Sequence, residues 1–111
     1  MFSIAVCDDN NAYLSLFKKV VKNQFQTCSD GEPGFSVDAS FDNGADLLEY
    51  ADTHIIDILF LDIDMPEMTG FEIAKRLNKK FHGEILIVFM SAYDNFVYES
   101  FDYLPFAYLR K

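Results

Sequence analysis

Two stretches of this chain, residues 55–61 and 84–90, are nearly unbroken runs of apolar residues rich in β-branched and aromatic types. Asp57 is the one polar interruption of the first, and each run is stopped by a polar side chain, Asp62 or Ser91. A strand that alternates apolar with polar residues can leave one face in water, but a run apolar on both parities must be covered on both faces. Strands of that kind belong to parallel sheets with helices packed above and below.

The rest of the chain supplies the covers. Residues 2–7 form a shorter apolar run that ends in Asp8-Asp9. Leu14, Phe17, Val20, Val21 and Phe25 recur at helical spacing, with Lys18, Lys19 and Lys22 on the opposite side. Residues 27–34 (Ser, Asp, Gly, Glu, Pro) read as a loop. Phe35, Val37, Ala39 and Phe41 alternate with polar neighbours, as in a strand with one wetter face. After Asn43-Gly44, the residues Ala45, Leu47, Leu48 and Ala51 mark a short amphipathic helix. Met65-Pro66 breaks the chain, because proline fixes φ and lacks a donor. Gly70 then opens a helix with Phe71, Ile73, Ala74, Leu77 and Phe81 inward and Lys75, Arg76, Lys79 and Lys80 outward, stopped by His82-Gly83. A weaker helix over 96–103 and a short strand over 106–109 complete the pattern. Five strands alternating with four helices predict one α/β domain over residues 1–111, a doubly wound parallel sheet with helices on both faces. Right-handed crossovers leave the two doubly wound strand orders as candidates.

Charge and composition narrow the function. Nine Lys and Arg stand against 18 Asp and Glu among 111 residues, a formal net charge of −9. Binding to a phosphate backbone needs clustered cations, so direct nucleic-acid contact by this domain is not expected. Half of the residues are hydrophobic, too many for a disordered acidic tail. No apolar run approaches the roughly 18 residues of a membrane span, and residues 1–10 carry no basic export region. The expectation is a cytoplasmic domain that handles a small molecule, a metal or a protein partner. Cys7 reads as a small core hydrophobe, and Cys28 as a second unpaired thiol in a polar stretch.

In such sheets, ligands bind beyond the carboxyl ends of the strands, at the switch point of the topology. The residues delivered there are Asp8 and Asp9 after the first strand, Asp62 and Asp64 after the third, Ser91 after the fourth and Lys111 after the fifth. Gathered carboxylates repel one another, and a hard divalent cation such as Mg²⁺ (or Mn²⁺) removes the conflict with two carboxylates and a backbone carbonyl as ligands. No His or Cys stands at these strand ends, which disfavours zinc and copper. A carboxylate oxygen can attack phosphorus to form an aspartyl-phosphate, Ser91 can hydrogen-bond the transferred group, and Lys111 can neutralise part of its charge. Taken alone, Asp8-Asp9 reads as an acidic helix start and Ser91 as a strand-end cap; their convergence with Asp62 favours the site.

These residues resemble a response-regulator receiver domain. The resemblance rests on Asp8-Asp9, on residues 60–66 (Phe-Leu-Asp-Ile-Asp-Met-Pro) with Gly70, on Met90-Ser91-Ala92, and on Tyr108-Leu109-Arg110-Lys111. Residues 41–48 and the ending Phe106-Ala107-Tyr108-Leu109 resemble the subfamily that precedes a LytTR-type DNA-binding domain. The resemblance covers essentially the whole chain and implies a flavodoxin-like sheet of order 2-1-3-4-5. It implies that Asp62 is the phosphoacceptor, and that Asp9, Asp62 and the backbone carbonyl of Asp64 bind Mg²⁺ with Asp8 in an indirect role. Ser91 and Lys111 would contact the phosphoryl group, and Tyr108 would be the aromatic that changes rotamer on activation. The implied partners are a sensor histidine kinase and an output domain, with transcription as the controlled process. The domain would be no enzyme in its own right, although it would accept phosphoryl and lose it by autodephosphorylation.

Ser at position 91 replaces the commoner Thr and keeps the hydroxyl. The family pattern continues from the lysine through a Pro into a fifth helix, and this chain stops at Lys111, so the expected domain is one helix short. Loss of that cover would expose several hundred Å² of apolar sheet, worth many kcal/mol at about 25 cal/mol per Å², and predicts a homodimer or an oligomer formed by exchange of terminal elements. Two other functional classes compete. Asp62-Ile63-Asp64 also resembles the nucleophile motif of haloacid-dehalogenase-type phosphatases, although that motif normally occupies a first strand. The other is a phosphorylation-independent interaction module that keeps the receiver fold.

Overall fold

A computed structural model describes residues 3–25, 37–81, 84–92, 97–100, 102 and 105–111. The chain runs β1 (Ile4–Cys7), α1 (Asn11–Phe25), β2 (Val37–Phe41), α2 (Gly44–Thr53), β3 (Ile58–Asp62), α3 (Gly70–Phe81), β4 (Leu86–Ser91), α4 (Val97–Ser100) and β5 (Ala107–Arg110). The strands lie in the order β2-β1-β3-β4-β5, and every neighbouring pair is parallel. The two apolar runs supply β3 and β4, in the interior of the sheet, as their two-sided hydrophobicity requires.

Alternation along each strand divides the core into two layers. Ala5, Cys7, Leu59, Leu61, Ile87 and Phe89 pack with Leu47 and Ala51 of α2 and Phe71, Ile73, Ala74 and Leu77 of α3. Val6 and Met90 point the other way and pack with Leu14 of α1, joined by the half-buried Tyr13, Phe17 and Phe60. Helices therefore cover both faces, and the larger layer lies on the α2–α3 side. Local chemistry fixes the helix ends. Asn43, in extended conformation, caps α2 by accepting from the Asp46 N–H at 2.8 Å. Lys79 and Lys80 occupy the last turn of α3, where cations complement the dipole.

The structure departs from the sequence reading at several element edges. The third strand begins at Ile58, and Ile55 is 81 % exposed. The apolar run is longer than the strand because Asp57 turns the chain: its carboxylate accepts the Ser3 N–H at 2.8 Å. The fourth strand starts at Leu86, since the Glu84 N–H still closes on the Phe81 carbonyl. The fifth is shifted one residue onward, and Phe106 is exposed. On α1, Val20 lies outward at 47 % exposure, because Leu14, Phe17 and Val21 form the stripe that meets the sheet and Val20 sits about 100° around the helix from Val21. Ala45 of α2 is likewise exposed. The readings on Cys28, the loop at 27–34, Phe35 and His82-Gly83 lie outside the described residues, as do the side chains of Lys22 and Phe25. No described helix is long and apolar enough to cross a membrane.

Candidate functional site

Parallel register assembles the site. Cys7 pairs with Leu61, so the residues that follow them, Asp8 and Asp62, leave the sheet side by side. Asp62 pairs with Met90, and Ser91 with Arg110, which brings Ser91 and Lys111 to the same edge. The backbone then ties the ends together. The Ile63 N–H donates to the Met90 carbonyl at 3.0 Å, the Lys111 N–H to the Ser91 carbonyl at 2.8 Å, and the Asp8 N–H to the Phe41 carbonyl at 3.0 Å.

Two turns hold the carboxylates. Asp8 Oδ1 accepts the Asn10 N–H at 2.9 Å, and Asn10 in turn caps α1 by accepting the Tyr13 N–H at 3.0 Å. Behind Asp62, the Gly70 N–H donates to the Ile63 carbonyl at 2.9 Å. A Cβ on Gly70 would fall onto the Asp62 carbonyl oxygen and within 2.8 Å of Ile63 Cα, so the start of α3 approaches the Asp62 backbone as only glycine allows.

Carboxylate oxygens of Asp8, Asp9 and Asp62 all lie within 4.8 Å of one another. Asp8 and Asp62 are buried and Asp9 is exposed, so the group opens to solvent on the Asp9 side. Lys111 reaches in from the end of β5, with Nζ 2.5 Å from Asp8 Oδ2 and 3.2 Å from Asp62 Oδ1. Its ammonium also lies over the ring of Tyr13, 4.6 Å from the centroid. Asp62 Oδ1 also accepts the Asp64 N–H at 3.4 Å.

One lysine does not satisfy this much negative charge. Burial, and then the neighbouring Asp8, push the Asp62 carboxyl up to about 7 against the opposing pull of Lys111. Burial works against the Lys111 ammonium, but the hydrogen bond to Asp8 and the Asp62 charge outweigh it and hold Lys111 above the usual lysine value. Burial, followed by the Asp62 charge, pushes the Cys7 thiol up to about 12, so this cysteine stays a packed, protonated core residue. Asp8 Oδ2 is fully buried and is held by the Lys111 ammonium as an ion pair. Three carboxylates within 4.8 Å of one another, two of them buried and sharing one ammonium, with no His or Cys in the group, fit a small hard cation.

The structure thus brings together Asp8, Asp9, Asp62 and Lys111, and places Ser91, fully buried, at the end of the adjoining strand. The Asp64 side chain is exposed and stands outside the three-carboxylate group. Tyr108 is half-buried against the α2–α3 layer of the core. Sequence reasoning passed over Asn10 and Tyr13. Asn10 carried a usable signal, an Asn just before a run of helical periodicity. Tyr13 carried a weaker one, its i, i+4 relation to Phe17, whose ring centroid lies 6.3 Å away.

A doubly wound five-stranded sheet with an acidic, cation-fitting group at its β1/β3 switch point defines an α/β domain whose chemistry sits at the carboxyl edge. The family of response regulator receiver domains matches over residues 4–111, and the chain belongs to it. A response regulatory protein of Vibrio cholerae is 38 % identical over 79 residues, covering 71 % of this chain and 30 % of that protein. The sensory transduction protein LytT of Oceanobacillus iheyensis is 34 % identical over 73 residues, 65 % of this chain and 30 % of its own length. The matches thus span about 30 % of the length of these curated relatives. Among solved structures, the Thermotoga maritima response regulator TrrA, crystallised with Mg²⁺–BeF, superposes with a TM-score of 0.82 at 25 % identity, over 100 % of this chain and 87 % of that one. The chain is accordingly a receiver domain of the response-regulator family.

Proposed function

We propose that Asp62 is the phosphoacceptor and that Asp8, Asp9, Ser91 and Lys111 serve its phosphorylation. The observation that carries this reading is the convergence on buried Asp62 of two further carboxylates and one ammonium, all at the carboxyl edge. An Asp62 carboxylate oxygen attacks the phosphorus of a phosphohistidine on a sensor histidine kinase. The O–P bond forms as the P–N bond breaks, and the imidazole leaves with the electron pair and takes up a proton. Lys111 moves from Asp8 toward the new phosphoryl oxygens, and Ser91 donates its hydroxyl to one of them. Asp9, Asp62 and the backbone carbonyl of Asp64 would hold Mg²⁺ or Mn²⁺, with Asp8 supporting. When bound, the cation supplies the positive charge that lets three carboxylates and a phosphoryl group share one edge. The crystallisation of the similar response regulator TrrA with Mg²⁺–BeF supports a role for Mg²⁺ in this reading.

Phosphorylation adds about −1.5 to −2 charge and three acceptor oxygens. The displacement of Ser91 toward them opens space for Tyr108 to turn inward, and this re-shapes the surface formed by α4 and β5 for an output domain. The LytTR-like sequence features support a DNA-binding output, and water attack on the acyl phosphate returns the domain to rest. The acidic surface and the kinase partner favour a cytoplasmic setting. The exposed Asp64 side chain, outside the carboxylate group, counts against the phosphatase reading, which needs it beside Asp62 as acid and base.

The test is incubation with acetyl phosphate and Mg²⁺, read by intact mass, beside the Asp62→Asn variant. One phosphoryl adduct on the wild type and none on the variant is expected. An adduct of equal yield on the variant would remove Asp62 from the role.

Self-association is a second part of this reading. Leu86 and Leu109 share the face of the buried Met90, on the α1 side of the sheet, and both are exposed, as are Leu16 and Val20 of α1. Sedimentation is expected to show a dimer or larger species dissociating on dilution, and a monodisperse monomer at high concentration would contradict it.

A further inference from the structure

We propose that Tyr13 is a positioning residue of the phosphorylation site, its ring face confining the Lys111 ammonium beside Asp62. The inference rests on the reading of Asp62 as phosphoacceptor, and Tyr13 acts on the phosphoryl group only through Lys111.

Three groups surround the ammonium: Asp8 Oδ2 at 2.5 Å, Asp62 Oδ1 at 3.2 Å and the Tyr13 ring at 4.6 Å. The two carboxylates compete for the same N–H donors, and in this structure Asp8 holds the closer one. The ring is a different kind of neighbour. Its quadrupole attracts the cation and offsets part of its desolvation, yet the ring face engages no N–H donor in a directional bond. An ammonium held partly by a ring is therefore freer to pass from Asp8 to the oxygens of an arriving phosphoryl group than one held by carboxylates alone.

The ring is itself fixed from both ends. Its backbone N–H closes on Asn10, whose own N–H closes on Asp8, so the loop that carries Asp8 also sets the position of Tyr13. Its hydroxyl lies 3.9 Å from the sulfur of Met90, on the strand that carries Ser91. Phe17, tilted against Phe60 with ring centroids 4.8 Å apart, supports it one turn along α1. A side chain that only filled space would not need to turn its ring face toward the Lys111 ammonium.

The two candidate roles separate on variants of similar size. Tyr13→Phe keeps the ring face and loses the hydroxyl, whereas Tyr13→Leu keeps apolar bulk and loses the face. Phosphoryl uptake from acetyl phosphate with Mg²⁺ is measured by mass for both, alone and in a Lys111→Ala background, with thermal melts confirming that each is folded. In the unphosphorylated protein, NMR reads the Lys111 side-chain methylene protons, which a ring this close shifts upfield. Tyr13→Leu is expected to slow uptake about three- to tenfold and abolish the upfield shift. Tyr13→Phe should preserve both, and neither variant should change the residual rate once Lys111 is alanine. Unchanged uptake in folded Tyr13→Leu would overturn the positioning role while leaving Asp62 as acceptor. Equal slowing by Phe and Leu would overturn the ring-face argument. Absence of any adduct on the wild type, with the upfield shift present, would remove the acceptor reading and the role built on it, though not the contact.

Discussion

Replacing Lys111 with methionine is expected to destabilise the cation-free domain by about 3–5 kcal/mol at pH 8 and to slow phosphoryl uptake by about a hundredfold. The first effect follows from what the ammonium faces. Asp8 is fully buried and Asp62 is 2 % exposed, and among the described residues Lys111 is the cation within ion-pair distance of both. Methionine retains the packing of the stem and removes the charge, leaving two buried carboxylates facing each other. Part of the loss is relieved at lower pH, because one of the pair then takes a proton. The destabilisation should accordingly shrink between pH 8 and pH 6.

Divalent cation separates the two effects. If the carboxylates are the source of the instability, Mg²⁺ replaces the missing charge, and its stabilising effect should be larger on Lys111→Met than on the wild type. Uptake of phosphoryl should remain slow, because the ammonium is also needed at the phosphoryl oxygens. Urea denaturation with and without Mg²⁺ measures the first, and adduct formation over time the second. A variant as stable as wild type in chelator, with the same response to Mg²⁺, would show that the ion pairs do not hold the edge together.

The parts of this site that were legible in the sequence are those that depend on one strand at a time. Asp62 and Ser91 announce themselves because each ends a run that is apolar on both parities, and such runs point their carboxyl ends to one edge of a parallel sheet. Pairing is less visible. Residues 55–57 are as apolar as a strand on average, but apolarity does not say where hydrogen bonding to β1 begins, and Asp57 delays it by capturing the Ser3 N–H. Val20 falls outside the buried stripe for a related reason: helical spacing identifies a stripe, not its edges, and the turn that packs on the sheet is set by Tyr13 and Phe17 meeting Phe60 and Met90. The contact between Tyr13 and Lys111 joins the beginning of α1 to the end of β5, and only the assembled sheet brings these together. Local periodicity contains no trace of it.

The same carboxylate crowding predicts that Asp62→Asn, although unable to accept phosphoryl, is more stable than the wild type in chelator above pH 7. Burial and Asp8 raise the Asp62 carboxyl from its ordinary 3.8 to about 7. A group that binds its proton more tightly in the folded state contributes most below its unfolded value, and that contribution is lost as pH rises through the folded value. For Asp62 the window runs from about pH 4 to about pH 7. The full displacement corresponds to at most about 4 kcal/mol, reduced to the extent that Lys111 compensates the charge after ionisation. Asparagine has the size of the protonated acid and does not titrate, so the two proteins should be equally stable near pH 4. The gap should then open across the window and stay constant above it. Added Mg²⁺ should close the gap at pH 8 by stabilising the wild type more than the variant, since the ionised carboxylate is what the cation binds. Paired denaturation curves at pH 4, 6 and 8 give the measurement. A gap independent of pH, or a wild type more stable than Asp62→Asn at pH 8 in chelator, would mean that Lys111 alone already neutralises the edge.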